Sequence, residues 1–190
     1  MSRVPVAIAF GASLGDRAAS IRLALHALDA TAGLRLVRAS RIYASAAVGG
    51  AAGAVFFNAV ALFETGGETG GQTGGETTLT PTELLPILRA IEVRLGRRPT
   101  RRWADRVIDL DLLLYDRRVV TEPGLRIPHP RMVERAFVMT PLREAWPDAV
   151  NPYTGLRYAD TLPLTGSLPV VGVLPRPGVT PTLANAPTTA

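Results

Sequence analysis

The chain has 190 residues, enough for one hydrophobic core but short of the length at which two separate cores become the rule. Its 47% hydrophobic and 19% charged residues exclude a disordered polyelectrolyte, and the absence of cysteine excludes a disulfide framework, a thiolate metal site and a cysteine nucleophile. All 21 basic residues are arginine and outweigh 16 acids for a net charge of +5. Arginine-only usage beside abundant alanine reads as genomic base composition, so what bears on function is where the arginines cluster. The opening MSRVPVAIAFGASLGD is broken by Ser13, Gly15 and Asp16 before it reaches the length of a signal peptide or membrane span. A soluble, cytoplasmic protein is expected.

Val4 to Gly11 is a short apolar run closed by glycine, and Ile21, Leu23, Leu25 and Leu28 follow at helical spacing, which predicts strand, turn and helix. Leu34 to Tyr43 alternates apolar and basic residues, and Val55 to Glu64 is a β-branched and aromatic run. These two predict a hairpin whose loop contains Gly49, Gly50 and Gly53. Residues 65–80 repeat Thr-Gly-Gly with polar fillers and have little to bury, so they form a flexible insert without chemistry. Pro81 and Thr82 open an amphipathic helix carrying Leu84, Leu85, Ile87, Leu88, Ile91 and Leu95, which ends at Gly96. An arginine-rich loop, Arg97 to Arg102, leads to a strand from Val107 to Tyr115. Pro128-His129-Pro130 breaks the chain before a helix over Val133 to Trp146. The chain divides into a domain over 1–164 and a loosely held Pro, Thr and Ala-rich tail over 165–190. Strand, helix, strand, strand, helix, strand describes an α+β fold with a ferredoxin-like βαββαβ core, an antiparallel sheet with helices packed on one face.

Arg106-Val107-Ile108-Asp109-Leu110-Asp111-Leu112-Leu113-Leu114 is the segment richest in chemistry. Alternation in a strand puts Asp109 and Asp111 on one face, about 7 Å apart at Cα, with Ile108, Leu110, Leu112 and Leu114 on the other. Two like charges so placed repel unless positive charge lies between them, and an oxygen-only pair suits Mg²⁺ in a phosphate site. A bare Asp-x-Asp is more often a solvated strand face. Here Arg97, Arg98, Arg101, Arg102 and Arg106 lie just upstream, so carboxylates and guanidiniums converge as a polyphosphate site requires.

Arg102-Trp103-Ala104-Asp105-Arg106-Val107-Ile108-Asp109-Leu110-Asp111 resembles the signature of the pterin pyrophosphokinases of folate synthesis. Those enzymes convert 6-hydroxymethyl-7,8-dihydropterin and ATP to the pterin diphosphate and AMP. The likeness runs in the family's order from Val4 to Trp146. It takes in Gly11 to Asp16, Phe57-Asn58-Ala59-Val60-Ala61-Leu62, Ile91-Glu92 with Gly96-Arg97, and Ile127-Pro128-His129-Pro130 with Arg135-Ala136-Phe137.

The resemblance implies that Asp109 and Asp111 bind two Mg²⁺ ions on ATP and that Arg97 and Arg106 stabilise charge on the phosphoryl groups. It implies that Asn58 hydrogen-bonds the pterin edge, that Phe137 stacks on the ring, that Phe56 and Val48 line the same pocket, and that Trp103 closes over it. It places Glu92, Leu112, His129 and Arg135 around the nucleotide. The pterin hydroxymethyl oxygen would attack the β-phosphorus of ATP in line, with no covalent enzyme intermediate. Read without the resemblance, the three phenylalanines are ordinary core residues and His129 is a turn residue. Asn58 in an apolar strand is harder to dismiss, because a buried amide needs partners.

The chain departs from the family's usual residues at Ser13, at Ala46-Ala47 in place of a Pro-Pro pair, at Phe56 in place of a frequent tyrosine, and at Gly124 in place of a basic group. Small-molecule substrates, ATP and the reduced pterin, are the expected partners of a monomer, with no membrane and no nucleic acid. An RNA-binding module would need base-stacking aromatics where this strand carries Asp109 and Asp111. A metal-dependent nucleotidyltransferase is a third reading, separable by transfer of labelled AMP.

Overall fold

Residues 3–46, 55–66, 78–98, 105–160 and 168–174 are described by the computed structural model. In β1 (Val4–Ala12) the side chains of Val6, Ile8, Phe10 and Ala12 enter the main core, while Ala7 packs on the opposite face of the sheet. Helix α1 (Arg17–Asp29) begins where the Asp16 carboxylate accepts the Ala19 N–H at 2.9 Å, and it buries Ile21, Ala24, Leu25 and Leu28.

The run expected as one strand from Leu34 is two, β2 (Leu34–Ala39) and β3 (Arg41–Ala46), both antiparallel to β4 (Val55–Thr65). Ser40 makes the break without leaving the Val60 backbone unpaired. Its N–H donates to the Val60 carbonyl at 2.9 Å and its hydroxyl accepts the Val60 N–H at 3.0 Å. Helix α2 (Pro81–Arg94) opens with a capping box between Thr80 and Glu83, with Pro81 in its first turn, and gives way to Gly96 at φ 93°.

Strand β5 (Asp109–Tyr115) completes the core motif, and β6 (Val120–Glu122) and β7 (Leu125–Ile127) form a small hairpin beside it. After the cis Ile127–Pro128 bond come a 3-10 turn, Met132–Glu134, and helix α3 (Ala136–Ala145). The sheet runs β5-β1-β4-β3-β8, where β8 is Val170–Val173, with β2 also on β4 and every pairing antiparallel. This is the expected ferredoxin-like arrangement.

Two expectations are corrected. Helices cover both faces: α1 and α2 share the main core with Ile8, Phe10, Leu110 and Leu112, whereas α3 packs on the other face against Val60, Leu113 and Leu114. A β-bulge enlarges the apolar surface under α3, for Ala7 pairs with Leu114 and Ile8 with Leu112, leaving Leu113 as an extra residue. Leu114 therefore turns to the face that carries the two aspartates, and Tyr115 returns to the main core. The second correction concerns the tail. Val170–Val173 form β8, which hydrogen-bonds along β3 and pairs the backbone of what would otherwise be an edge strand.

Among the described residues no helix is long and apolar enough to cross a membrane. Phe63 is fully buried in the main core, whereas Val93 on α2 is 68% exposed. Phe63→Ala should lower the urea unfolding free energy by about 3–5 kcal/mol. Val93→Ala should change it by less than about 0.5 kcal/mol.

Candidate active site

On the α3 side of the sheet the central strand is nearly bare. Gly11 of β1 pairs with Asn58 on one side and Asp109 on the other, and Ala9 pairs with Val60 and Asp111. A Cβ at Gly11 would stand 3.8 Å from the Asp109 Cβ and 4.0 Å from the Asn58 Oδ1. The missing side chain thus leaves a low floor with an amide on one bank and two carboxylates on the other. Over this floor lies a cavity of about 600 Å³.

Asp109 is held by two guanidiniums, Arg97 Nη1 to Oδ1 and Arg106 Nη1 to Oδ2, each at 2.8 Å. Asp111 is the less compensated of the pair. Burial first, and then the neighbouring Asp109 charge, push its carboxyl above the ordinary aspartate range, while His129, Arg135 and Arg106 oppose the shift.

Arg106 is fixed through its backbone. Its N–H donates to the Ser13 hydroxyl at 2.9 Å and its carbonyl accepts the Ser13 N–H at 2.9 Å. Its Nε is buried with no hydrogen-bond partner among the described residues, an N–H left for an acceptor from outside.

Arg97 is aimed by Glu92, a buried α2 carboxylate that pairs with its guanidinium and also accepts the Leu110 N–H at 2.7 Å. Burial raises the Glu92 carboxyl, and the Leu110 N–H and Arg97 work against that rise. One side chain thereby ties α2, β5 and Arg97 together.

On the opposite bank the Asn58 amide nitrogen donates to the Ser45 hydroxyl at 2.9 Å, with the Phe56 and Tyr43 carbonyls at 3.4 and 3.5 Å. That fixes the amide and leaves Oδ1 toward Gly11. Phe56 and Phe137 line the same cavity, and the Arg135 guanidinium lies 5.7 Å from the Phe137 ring centre. The His129 backbone N–H donates to the Leu113 carbonyl at 2.9 Å, and its Nδ1 accepts the Arg131 N–H at 3.3 Å. Burial lowers the His129 pKa, and Asp111 opposes that.

Of the residues singled out in the sequence, Asp109, Asp111, Arg106, Asn58, Phe56, Phe137, His129 and Arg135 converge on this one cavity. Arg97 reaches it through Asp109. Glu92 and Leu112 do not line it: Glu92 acts from behind, and the Leu112 side chain is in the main core. Val48 and Trp103 lie outside the described residues. Ser45 and Arg126 also line the cavity without having been singled out in the sequence, and Ser13 had stood out only as a departure from the family's usual residue. Alternation would have put Ser45 on the Asn58 face had the hairpin register been known.

An acidic pair under arginines, sharing one trough with a fixed amide and two aromatic rings, defines a class of transferase that handles a phosphate chain beside a planar heterocycle. The family model described as 7,8-dihydro-6-hydroxymethylpterin-pyrophosphokinase (HPPK) matches residues 7–147. The chain belongs to this family. It is 38% identical over 143 residues to the 2-amino-4-hydroxy-6-hydroxymethyldihydropteridine pyrophosphokinase of Methylorubrum extorquens, an alignment covering 75% of this chain and 83% of that one. The Bacillus subtilis protein of the same name is 37% identical over 72% of this chain and 75% of its own. A solved Plasmodium falciparum HPPK-DHPS structure superposes with a TM-score of 0.62 at 11% identity, over 83% of this chain. That likeness is one of fold, and this chain spans 42% of that longer protein.

Glu92→Ala should remove the acceptor of a buried N–H and the partner of Arg97 together, costing about 2–3 kcal/mol of stability. Glu92→Gln, which keeps an acceptor, should cost less, and thermal unfolding of both variants measures the difference.

Proposed function

We propose that the chain transfers the pyrophosphoryl group of ATP to the hydroxymethyl oxygen of 6-hydroxymethyl-7,8-dihydropterin, giving the pterin diphosphate and AMP in folate biosynthesis. A bond forms between that oxygen and the β-phosphorus, and the hydroxyl proton is released to water. The bond from the β-phosphorus to the oxygen bridging the α-phosphate breaks, and AMP leaves with the bridging oxygen. The observation that carries the reading is the pairing, across Gly11, of a fixed amide with an arginine-flanked carboxylate pair in one cavity.

Asp109 and Asp111 offer oxygen donors only, and among the described residues no third acid, histidine or cysteine joins them in a metal cluster. That donor set fits Mg²⁺, whose remaining ligands come from phosphate oxygens and water. When bound, two such ions would offset phosphate charge and align the reacting phosphorus. The protein's part is to bind, orient and exclude water. Arg106 brings an unpartnered Nε–H to a phosphate oxygen, and Arg97, aimed by Glu92, brings a second guanidinium. Asn58 Oδ1 accepts from the amino edge of the pterin, with Phe137 and Phe56 against its ring. Val48 and Trp103 extend that pocket by the family likeness.

His129 and Arg135, which line the cavity, border the nucleotide, and the family likeness places Leu112 near it. A monomer in the cytoplasm, acting on small molecules, accords with this chemistry.

Given MgATP and the reduced pterin, the purified protein should form AMP in step with pterin diphosphate. ADP in place of AMP contradicts pyrophosphoryl transfer. Asp109→Ala and Asp111→Ala should each lower kcat by at least about 100-fold with an unchanged circular dichroism spectrum, and EDTA should abolish turnover. A variant that keeps a near-normal rate refutes the metal role.

A further inference from the structure

The arginines that border the cavity are not equally available to a ligand. Arg106 is bound to Asp109 together with Arg97, and Arg135 lies over the Phe137 ring. Arg126 differs, because its guanidinium makes no hydrogen bond, ion pair or ring contact with any described residue. Its backbone is well fixed nonetheless. It sits in β7 opposite Thr121, between Leu125 and Ile127, which are buried in the main core. Strand alternation then requires the Arg126 side chain to point away from that core, toward the cavity. It also borders a neighbouring cavity of about 410 Å³, where no other residue carries a full charge.

We propose that Arg126 is a ligand of the ATP phosphate chain and the cation that captures the incoming nucleotide. The physical basis is the difference in commitment. Arg97 Nη1 and Arg106 Nη1 are engaged by Asp109, which leaves Arg106 only its Nε–H side to offer, whereas the whole guanidinium of Arg126 is without a partner among the described residues. A guanidinium suits two phosphate oxygens at once, and an uncommitted positive charge at a cavity mouth speeds the approach of a polyanion. Arg126 meets the phosphate chain first, and the Arg106 Nε–H and the Arg97 guanidinium then close on it. This inference rests on the pyrophosphokinase reading.

Calorimetry of the full chain with Mg²⁺ and α,β-methylene ATP tests it, since that analogue has no cleavable bridge between the α- and β-phosphates. Arg126→Ala and Arg126→Gln should weaken the analogue about 10-fold, with Arg126→Lys in between. The KM for ATP should rise by the same factor while kcat and pterin affinity stay within about twofold. The loss should shrink from the ATP analogue through ADP to AMP and vanish for adenosine, and the association rate should lose part of its salt dependence.

A change below twofold overturns the proposal. So does an equal loss for adenosine, which would move Arg126 off the phosphates, or an equal loss for both substrates with a lowered Tm, which would make its role packing. If wild-type protein forms no AMP from the reduced pterin, the pyrophosphokinase reading falls and this inference with it. If wild type forms AMP but the Arg126 variants bind the analogue normally, only this inference falls.

Discussion

Two carboxylates one residue apart on the same face of a strand repel each other, and much of the surrounding structure answers that repulsion. Asp109 is neutralised by two guanidiniums that arrive from different directions, Arg97 from the end of α2 and Arg106 from the loop before β5. Each is itself held. Glu92 aims Arg97 while bonding the backbone of β5, and Ser13 clasps the backbone of Arg106. Asp111 keeps a raised pKa because burial removes solvation that no paired guanidinium replaces. The site thus sets a buried, weakly compensated carboxyl beside arginines that are held in place. Such an arrangement is suited to a metal-bound polyphosphate.

The same strand solves a packing problem. A continuous apolar run such as Leu112-Leu113-Leu114 cannot serve one face by strict alternation. The bulge at Leu113 lets Leu113 and Leu114 both pack on α3, while Leu110 and Leu112 stay with α1 and α2. Helix α3 is therefore seated over the aspartate side of the sheet and brings Phe137 to the cavity. Gly11 and Ala9 keep the floor beneath it low, so the amide bank and the acid bank belong to one trough.

What the sequence made legible follows from period and composition. Alternation in Ile108 to Asp111 placed the carboxylates on one face, glycine and proline marked the ends of α2, and order alone gave the ferredoxin-like core. The split at Ser40 was hidden because it depends on one hydroxyl replacing a backbone carbonyl. The facing of Leu114 and Tyr115 was hidden because a bulge shifts parity without changing composition. β8 was hidden because Val170–Val173 sit in a Pro and Thr-rich stretch whose local preference is overridden by the open edge of β3. Arg126 escaped notice because a three-residue strand carries too little periodicity to show which way its middle residue points.

On the proposed reading Asp109 would hand its guanidiniums to the phosphates and, with Asp111, would hold the metal. The most direct measurement is a crystal structure of the chain with Mg²⁺, α,β-methylene ATP and the reduced pterin. The account predicts metal on Asp109 and Asp111, the Arg97 and Arg106 guanidiniums moved onto phosphate oxygens, and the pterin edge on Asn58. Phosphates bound with both arginines still on Asp109, and no metal at the carboxylate pair, would contradict it.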